Sequence, residues 1–129
     1  MIKITANNGN EDYLVELTSR TGNKVIADEP LALGGKDNGF SPKELLASAL
    51  ATCTNVTVRM FARRKEWDLE NVLVEVELEQ SDGKTTLHRS VTFQGNLDEE
   101  QRQRLLAVAN ACPLHKILTG EIAVETVMK

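Results

Sequence analysis

The chain has no excess of basic residues: 15 Lys and Arg stand against 19 Asp and Glu, giving a formal net charge of -4 and a pI near 5.2. A nucleic-acid-binding domain normally presents a basic face, so phosphate backbones are poor partners. Long uncharged runs are also missing. The longest, Leu45 to Val58, has 14 residues and contains Ser48, Thr52, Thr54, Asn55 and Thr57. A bilayer helix needs roughly 20 apolar residues, so no membrane span is expected. The opening MIKITANNGNEDY lacks the charged-then-apolar pattern of a signal peptide, which makes the cytoplasm the default location. There is no low-complexity tract, internal repeat or linker, which excludes fibrous and disordered classes. Aromatics make up only 4% of the residues. Cysteines number two, Cys53 and Cys112, too few for a secreted disulfide framework. In a reducing compartment they persist as thiols unless chemistry oxidises them.

What is present, 41% hydrophobic and 26% charged residues over 129 positions, predicts one soluble domain spanning residues 1–129. Period-2 signals at Ile2 and Ile4, at Tyr13, Val15 and Leu17, and at Val25 and Ile26 are separated by NNGN and SRTGN. They predict a small antiparallel meander. The loop GGKDNGFSP leads into a helix start with Ser41 as N-cap, Pro42 at the first helical position and Glu44 three residues after the cap. The helix from Pro42 to about Lys65 carries apolar residues on nearly every face and is expected to be buried all round. A 129-residue monomer has little material for that cover, so a homodimer sandwiching the long helices between two sheets is expected. Arg59, Arg63, Arg64 and Lys65 at the end of the helix read as cations at the negative end of its dipole.

VLVEVELE and TTLHRSVTF, joined through Asp82-Gly83, predict a hairpin. The expected cross-strand pairs are Leu78 with Leu87, Val76 with Arg89, Val74 with Val91 and Val72 with Phe93. On the other face Glu77 opposes His88, and a solvated ion pair between them is expected. Asp98 and Gln101 form a capping box for a second helix ending near Ala111. Cys112-Pro113 starts a short third helix, Gly120 stops it, and Ile122, Val124 and Thr126 read as a closing strand. This order of elements is a segregated α+β domain.

The candidate chemistry centres on the thiols. Cys112 lies at a helix start, where free amides stabilise a thiolate. An ordinary thiol pKa of about 8.5 leaves only ~3% thiolate at pH 7, and lowering it by ~2 units raises that to roughly three quarters. Cys53 is mid-helix among Ala49, Leu50, Val56 and Thr57, so it needs a cation borrowed from another segment. Both thiols have the alternative reading of small buried hydrophobes. A zinc set of Cys53, His88, Cys112 and His115 is chemically admissible, although only the Cys112 and His115 spacing is ligand-like. GGKDNG lacks the GK[ST] ending of a phosphate loop, so its glycines read as turn and close-packing residues. Arg89 is the one cation on an apolar hairpin face. Its stem could carry the guanidinium to the sheet edge or to a carboxylate such as Glu44 or Asp98. Alternatively it supplies, directly or through Glu44, the charge that Cys53 lacks.

Taken together, DEP at 28–30, GGKDNGFSPKELLASALATCT at 34–54, ARRKEW at 62–67, and HRSVTFQGNLDEEQRQRLL running into ACPLHKIL resemble the family of osmotically inducible protein C and the organic hydroperoxide resistance proteins. The similarity covers about residues 25–119. The resemblance implies antiparallel sheets packed on a long central helix in an intertwined α+β homodimer with two active sites. It implies a thiol-dependent peroxidase in oxidative stress defence, acting on organic hydroperoxides or hydrogen peroxide. Carried over by motif, Cys53 corresponds to the peroxide-attacking thiol and Cys112 to the resolving thiol, reversing the order suggested by the helix start. The implied cycle runs through a Cys53 sulfenic acid and a Cys53–Cys112 disulfide, restored by an external dithiol of lipoyl type or a small thiol, with no metal or organic cofactor. The hydroperoxide resistance branch has an N-terminal arginine and a glutamate directly after the helix-start proline. In this sequence position 43 is lysine, the nearby acid is Glu44, and Arg20 sits in an unmatched TSRTGN context. Together with CPLHK this places the chain nearer the OsmC-like branch. Two other classes remain open: a dimer of the same fold binding a small apolar ligand without peroxidase activity, and a structural dimer with vestigial thiols.

Overall fold

Turns at NNGN and SRTGN fold the N-terminal chain into three short antiparallel strands, β1 (Ile4–Asn7), β2 (Val15–Ser19) and β3 (Lys24–Ala27), in the order β1-β2-β3. The computed structural model describes all of residues 1–129, which divide into two units, Met1–Leu46 and Ala47–Lys129. In the first unit a single 3₁₀ turn at Leu31–Leu33 follows β3. The GGKDNG loop then wraps around Asp28, which is 4% exposed. Its Oδ1 accepts from Glu29 N at 2.8 Å, and its Oδ2 accepts from Asn38 N at 3.0 Å and Lys36 N at 3.3 Å. Gly35 must lack a side chain because a Cβ there would collide with the Glu29 carbonyl. The close-packing role expected of these glycines is therefore met at this position.

The long helix α1 (Pro42–Arg64) starts at the expected capping box: Glu44 N donates to Ser41 Oγ at 3.2 Å, and Ser41 N donates to Glu44 Oε1 at 2.9 Å. It ends in a Schellman motif. Glu66 takes φ 56°, Glu66 N donates to Arg63 O at 3.1 Å, and Trp67 N donates to Ala62 O at 3.0 Å. Trp67 then meets Phe61 edge to face at 5.6 Å, fixing the exit of the chain. Burial of α1 departs from expectation. Leu50, Thr54, Val58 and Ala62, one stripe at a spacing of four, are buried, whereas Val56 and Met60 are about half exposed. Within one chain the available elements cover a single face of the helix.

In the second unit β4 (Leu69–Ser81) and β5 (Lys84–Gly95) pair across a turn with positive φ at both Asp82 and Gly83, as a tight hairpin requires. All four expected pairs, including Val76 with Arg89, are present in the register. The His88 expectation is corrected: although Glu77 lies directly opposite, the ring bonds Glu79 Oε2 at 2.9 Å, a diagonal neighbour on the same exposed face. α2 (Glu99–Ala109) begins at the Asp98–Gln101 capping box and α3 (Pro113–Thr119) at Cys112. The core of this unit joins Val58, Ala62, Leu69, Val72, Leu105 and Ala109. Leu105 and Val58 are wholly buried, each worth roughly 1.5–3 kcal/mol.

The closing strand does not form. No regular element follows Thr119, and neither sheet includes a strand from this segment. Ile122, Val124 and Val127 are 60%, 87% and 83% exposed. An alternating segment becomes a strand only when a neighbour supplies its ladder, and in a single chain none does. By length and composition, α1 is also apolar enough to cross a membrane, its most apolar window having a mean hydropathy of 1.3. Its polar side chains bind β4 instead: Asn55 donates to Val72 O at 2.8 Å and Arg59 to Leu69 O at 2.7 Å. Those contacts are the signature of a core helix. Arg59 thus serves the start of β4, in addition to any effect on the helix dipole.

Candidate active site

Three elements of the second unit deliver polar side chains to one point on an otherwise apolar face. Thr54 comes from the buried stripe of α1, Arg89 from β5, and Cys112 caps α3 with Asn110 just before it. The proline at 113 holds Cys112 extended, with φ -67° and ψ 147°, so its side chain folds back over the first turn of α3. There Cys112 Sγ accepts from His115 N at 3.4 Å. Thr54 Oγ1 lies 3.6 Å and Arg89 Nη1 3.7 Å from the same sulfur.

Both terminal nitrogens of Arg89 are engaged, and every partner is a side chain. Nη1 also donates to Thr54 Oγ1 at 3.0 Å, while Nη2 donates to Asn110 Oδ1 at 2.8 Å and to His115 Nδ1 at 3.0 Å. Arginine cannot accept, so His115 Nδ1 is the acceptor and a neutral ring carries its proton on Nε2. Thr54 is itself wholly buried and donates to Leu50 O at 2.8 Å. Neither carboxylate expected to neutralise Arg89 does so. Glu44 is occupied by Ser41, whose backbone and hydroxyl hold its pKa down, and Asp98 is occupied by Gln101. The only ion pairs in the chain are Lys24 with Glu16 and His88 with Glu79.

Cys112 is wholly buried, and burial pushes its thiol pKa up. The opposing effects win: the His115 amide first, with the Cys53 thiol and the charge of Arg89, holds Cys112 below the ordinary thiol range. Cys53, one residue before Thr54 in α1, is half-buried and also free. Of the partners open to Arg89 in the sequence, a carboxylate, the sheet edge or Cys53, none is the one bonded here; its Nη1 faces Cys112 Sγ at 3.7 Å. The zinc set is not assembled, because His88 lies on the exposed hairpin face with Glu79 and no three His, Cys, Asp or Glu side chains cluster.

Beside this centre a groove of about 400 Å³ is lined by Leu50, Leu87, Arg89, Asn110, His115 and Leu118. Two members of the site carried no expectation in the sequence. Thr54 had a signal, a polar residue in an apolar stripe of spacing four; Asn110 had none. His115 entered only as a zinc ligand, and in the structure it contributes a backbone amide to Cys112 and a ring nitrogen to Arg89.

Residues 35–127 match the family described as OsmC-like protein. Among solved structures, the chain is 28% identical to a Psychrobacter arcticus protein named for osmotic stress induction and detoxification response, with a TM-score of 0.75 over 90% of this chain and 85% of that one. It is 26% identical to the OsmC-like protein of Mycoplasma pneumoniae, with a TM-score of 0.76 over 93% and 88%. An organic hydroperoxide resistance protein of Bacillus subtilis, 24% identical over 93% and 91%, shares the fold with a TM-score of 0.64. No curated protein sequence matches the chain.

Proposed function

This chain belongs to the OsmC-like protein family, and from that premise we propose that it is a thiol-dependent peroxidase that reduces organic hydroperoxides or hydrogen peroxide. The observation that carries this reading is the buried Cys112 sulfur, 3.7 Å from an arginine with no carboxylate partner and 3.6 Å from Thr54, the residue that follows Cys53 in α1. Relatives of the same fold named for hydroperoxide resistance support it. Cys53, the more exposed thiol, attacks the peroxide oxygen and becomes a sulfenic acid. Cys112 condenses with it to give a disulfide and water, and an external dithiol of lipoyl type or a small thiol restores the pair. The chemistry is carried by the two thiols, without a metal or organic cofactor. Arg89 holds the site, and Glu44 closes the capping box at the start of α1.

The whole chain, 1–129, acts as one cytoplasmic OsmC-like domain; the family match crosses the boundary at Leu46. It works as a homodimer, in which a second copy covers the exposed side of α1 and offers a neighbour to the C-terminal segment. Sedimentation at micromolar concentration is expected to give a dimer, and a stable folded monomer would rule this out.

Peroxide-dependent consumption of a supplied dithiol is the direct test. It is expected in the wild type and lost in Cys53→Ser, with a Cys53–Cys112 disulfide recovered by non-reducing peptide mapping. The apolar stretch of the groove, Leu50, Leu87 and Leu118, favours one other reading, an apolar-ligand-binding dimer. Ligand binding that survives Cys53→Ser, in a wild type that consumes no dithiol, would establish that reading instead.

A further inference from the structure

His115 touches the site through two different groups. Cys112 caps α3, so the amide three residues on, His115 N, donates to its sulfur at 3.4 Å. The ring of the same residue reaches the arginine that faces that sulfur. A guanidinium carries two hydrogens on each terminal nitrogen and holds them in one plane. Those of Arg89 Nη2 go to Asn110 Oδ1 at 2.8 Å and His115 Nδ1 at 3.0 Å, and those of Nη1 to Thr54 Oγ1 at 3.0 Å and Cys112 Sγ at 3.7 Å. Fixing Nη2 therefore fixes where Nη1 points. Of the two acceptors on Nη2, the Asn110 amide does not titrate, whereas imidazole is the side chain whose ordinary titration crosses pH 5 to 8.

We propose that His115 is a positioning residue: its neutral ring accepts from Nη2 and so aims Nη1 of Arg89 at Cys112, and protonation of the ring releases the arginine from the sulfur. As a part of the reaction, this role rests on the peroxidase reading above. A protonated ring carries a hydrogen on Nδ1 and has no lone pair there. At 3.0 Å two donors and two positive charges then face each other, and the bond to Nη2 is lost. The surroundings do not offset that conflict. The groove that His115 lines presents Lys84 and Arg89 from β5 and the uncharged Leu50 from α1, and no carboxylate is among its walls. The next residue of α3 is another cation, Lys116. The remaining titratable groups are the two thiols, Cys112 under the His115 amide and Cys53 one residue before Thr54. With the ring charged, Arg89 keeps one anchor on Nη2 instead of two, and the cation that favours the Cys112 thiolate is no longer held against it.

In a Cys53→Ser background Cys112 is the only thiol, and ultraviolet thiolate absorbance reads its titration. His115→Leu, which offers no acceptor, is expected to titrate at higher pH than this parent. His115→Asn, whose Oδ1 can take the place of Nδ1 without titrating, is expected to bring the titration back down. A ring that only fills space is mimicked better by Leu than by Asn. Equal titrations in the parent and a folded His115→Leu, or a higher one in His115→Asn than in His115→Leu, therefore overturn the proposal. With Cys53 present and tert-butyl hydroperoxide as probe, His115→Leu is expected to turn over roughly tenfold more slowly at neutral pH, the scale of one lost hydrogen bond to a charged group. The wild-type rate relative to that of His115→Asn is expected to fall by a similar factor from about pH 8 to about pH 5, and a flat ratio overturns the release on protonation. The chain has two histidines, so His88→Asn leaves His115 as the only ring in long-range ¹H–¹⁵N spectra. A neutral ring protonated on Nε2 at pH 8 is expected; a proton on Nδ1 there overturns the proposal even if His115→Leu does not fold. A wild type that consumes no dithiol defeats the peroxidase reading alone, because the titrations and the ring tautomer still decide whether His115 aims Arg89 at Cys112.

Discussion

Asp28 in the first unit and Arg89 in the second are both charged side chains drawn in from solvent without an ion-pair partner, and they are satisfied in opposite ways. The Asp28 carboxylate takes three backbone amides, from Glu29, Lys36 and Asn38, all within the loop that it closes. Arg89 gives its N–H groups to four side chains, those of Thr54 in α1 and of Asn110, Cys112 and His115 in the segment that starts α3. Backbone amides neither titrate nor oxidise, so a charge held by them can only fix a conformation. A thiol and an imidazole can change protonation or redox state, and a charge held against them responds when they do. Partner type, more than burial, separates the structural charge from the chemical one.

The strongest way to break this contrast is to remove the Arg89 charge. Arg89→Met keeps most of the stem's volume and deletes both the cation and four hydrogen bonds. A nearby cation favours the thiolate, so the variant is expected to raise the Cys112 thiol pKa and to slow peroxide turnover at neutral pH by about tenfold. The sign also fixes a stability effect. Because the folded Cys112 pKa is depressed, the thiolate contributes stability that is present above the unfolded value and lost as pH falls through the folded one. Denaturant unfolding above the unfolded thiol pKa is therefore expected to show the larger wild-type advantage over Arg89→Met, with the difference narrowing in acid. An unchanged Cys112 titration in a folded variant would falsify the assignment of Arg89 to the thiol.

Local rules made most of the scaffold legible. The capping boxes at Ser41 and Asp98, the Asp82-Gly83 turn and the hairpin register all depend on residues close in sequence or on strict alternation, and each matches the structure. The end of α1 was readable only approximately, because its Schellman motif uses Glu66 at φ 56° where glycine is the usual signal. How far α1 is covered and whether the C-terminal segment pairs depend on long-range neighbours, which neither propensity nor alternation reports. At the site, Arg89 stood out as a cation on an apolar face, yet which sulfur it meets is a long-range fact. Strand register gives the face on which a side chain lies, but not the residue that waits opposite it across the core. Asn110 was invisible for the same reason: an exposed polar residue after a helix means nothing until the guanidinium is placed beside it.

The smallest expected effect sharpens the contrast from the other side. Asp28→Asn preserves the side chain's shape but replaces one acceptor oxygen with an NH₂ group, so at least one of the three loop amides faces a donor instead of an acceptor. The Asn38 amide makes the largest contribution to holding the Asp28 pKa below its ordinary 3.8, ahead of the opposing effect of burial. A depressed carboxylate contributes stability that is present above its unfolded pKa and is lost as pH falls through the folded one. In the wild type, protection of the Lys36 and Asn38 amides from hydrogen exchange is therefore expected to fade only in that acid window. In Asp28→Asn those amides are expected to exchange roughly tenfold faster at neutral pH, the scale of one mispaired hydrogen bond, and this Asp28-linked change with acid should be absent. None of the four partners of Arg89 is a partner of Asp28, so the Cys112 titration is expected to match the wild type. A Cys112 pKa that moves with Asp28→Asn would show that the backbone-held charge also reaches the thiol, and the separation by partner type would fail.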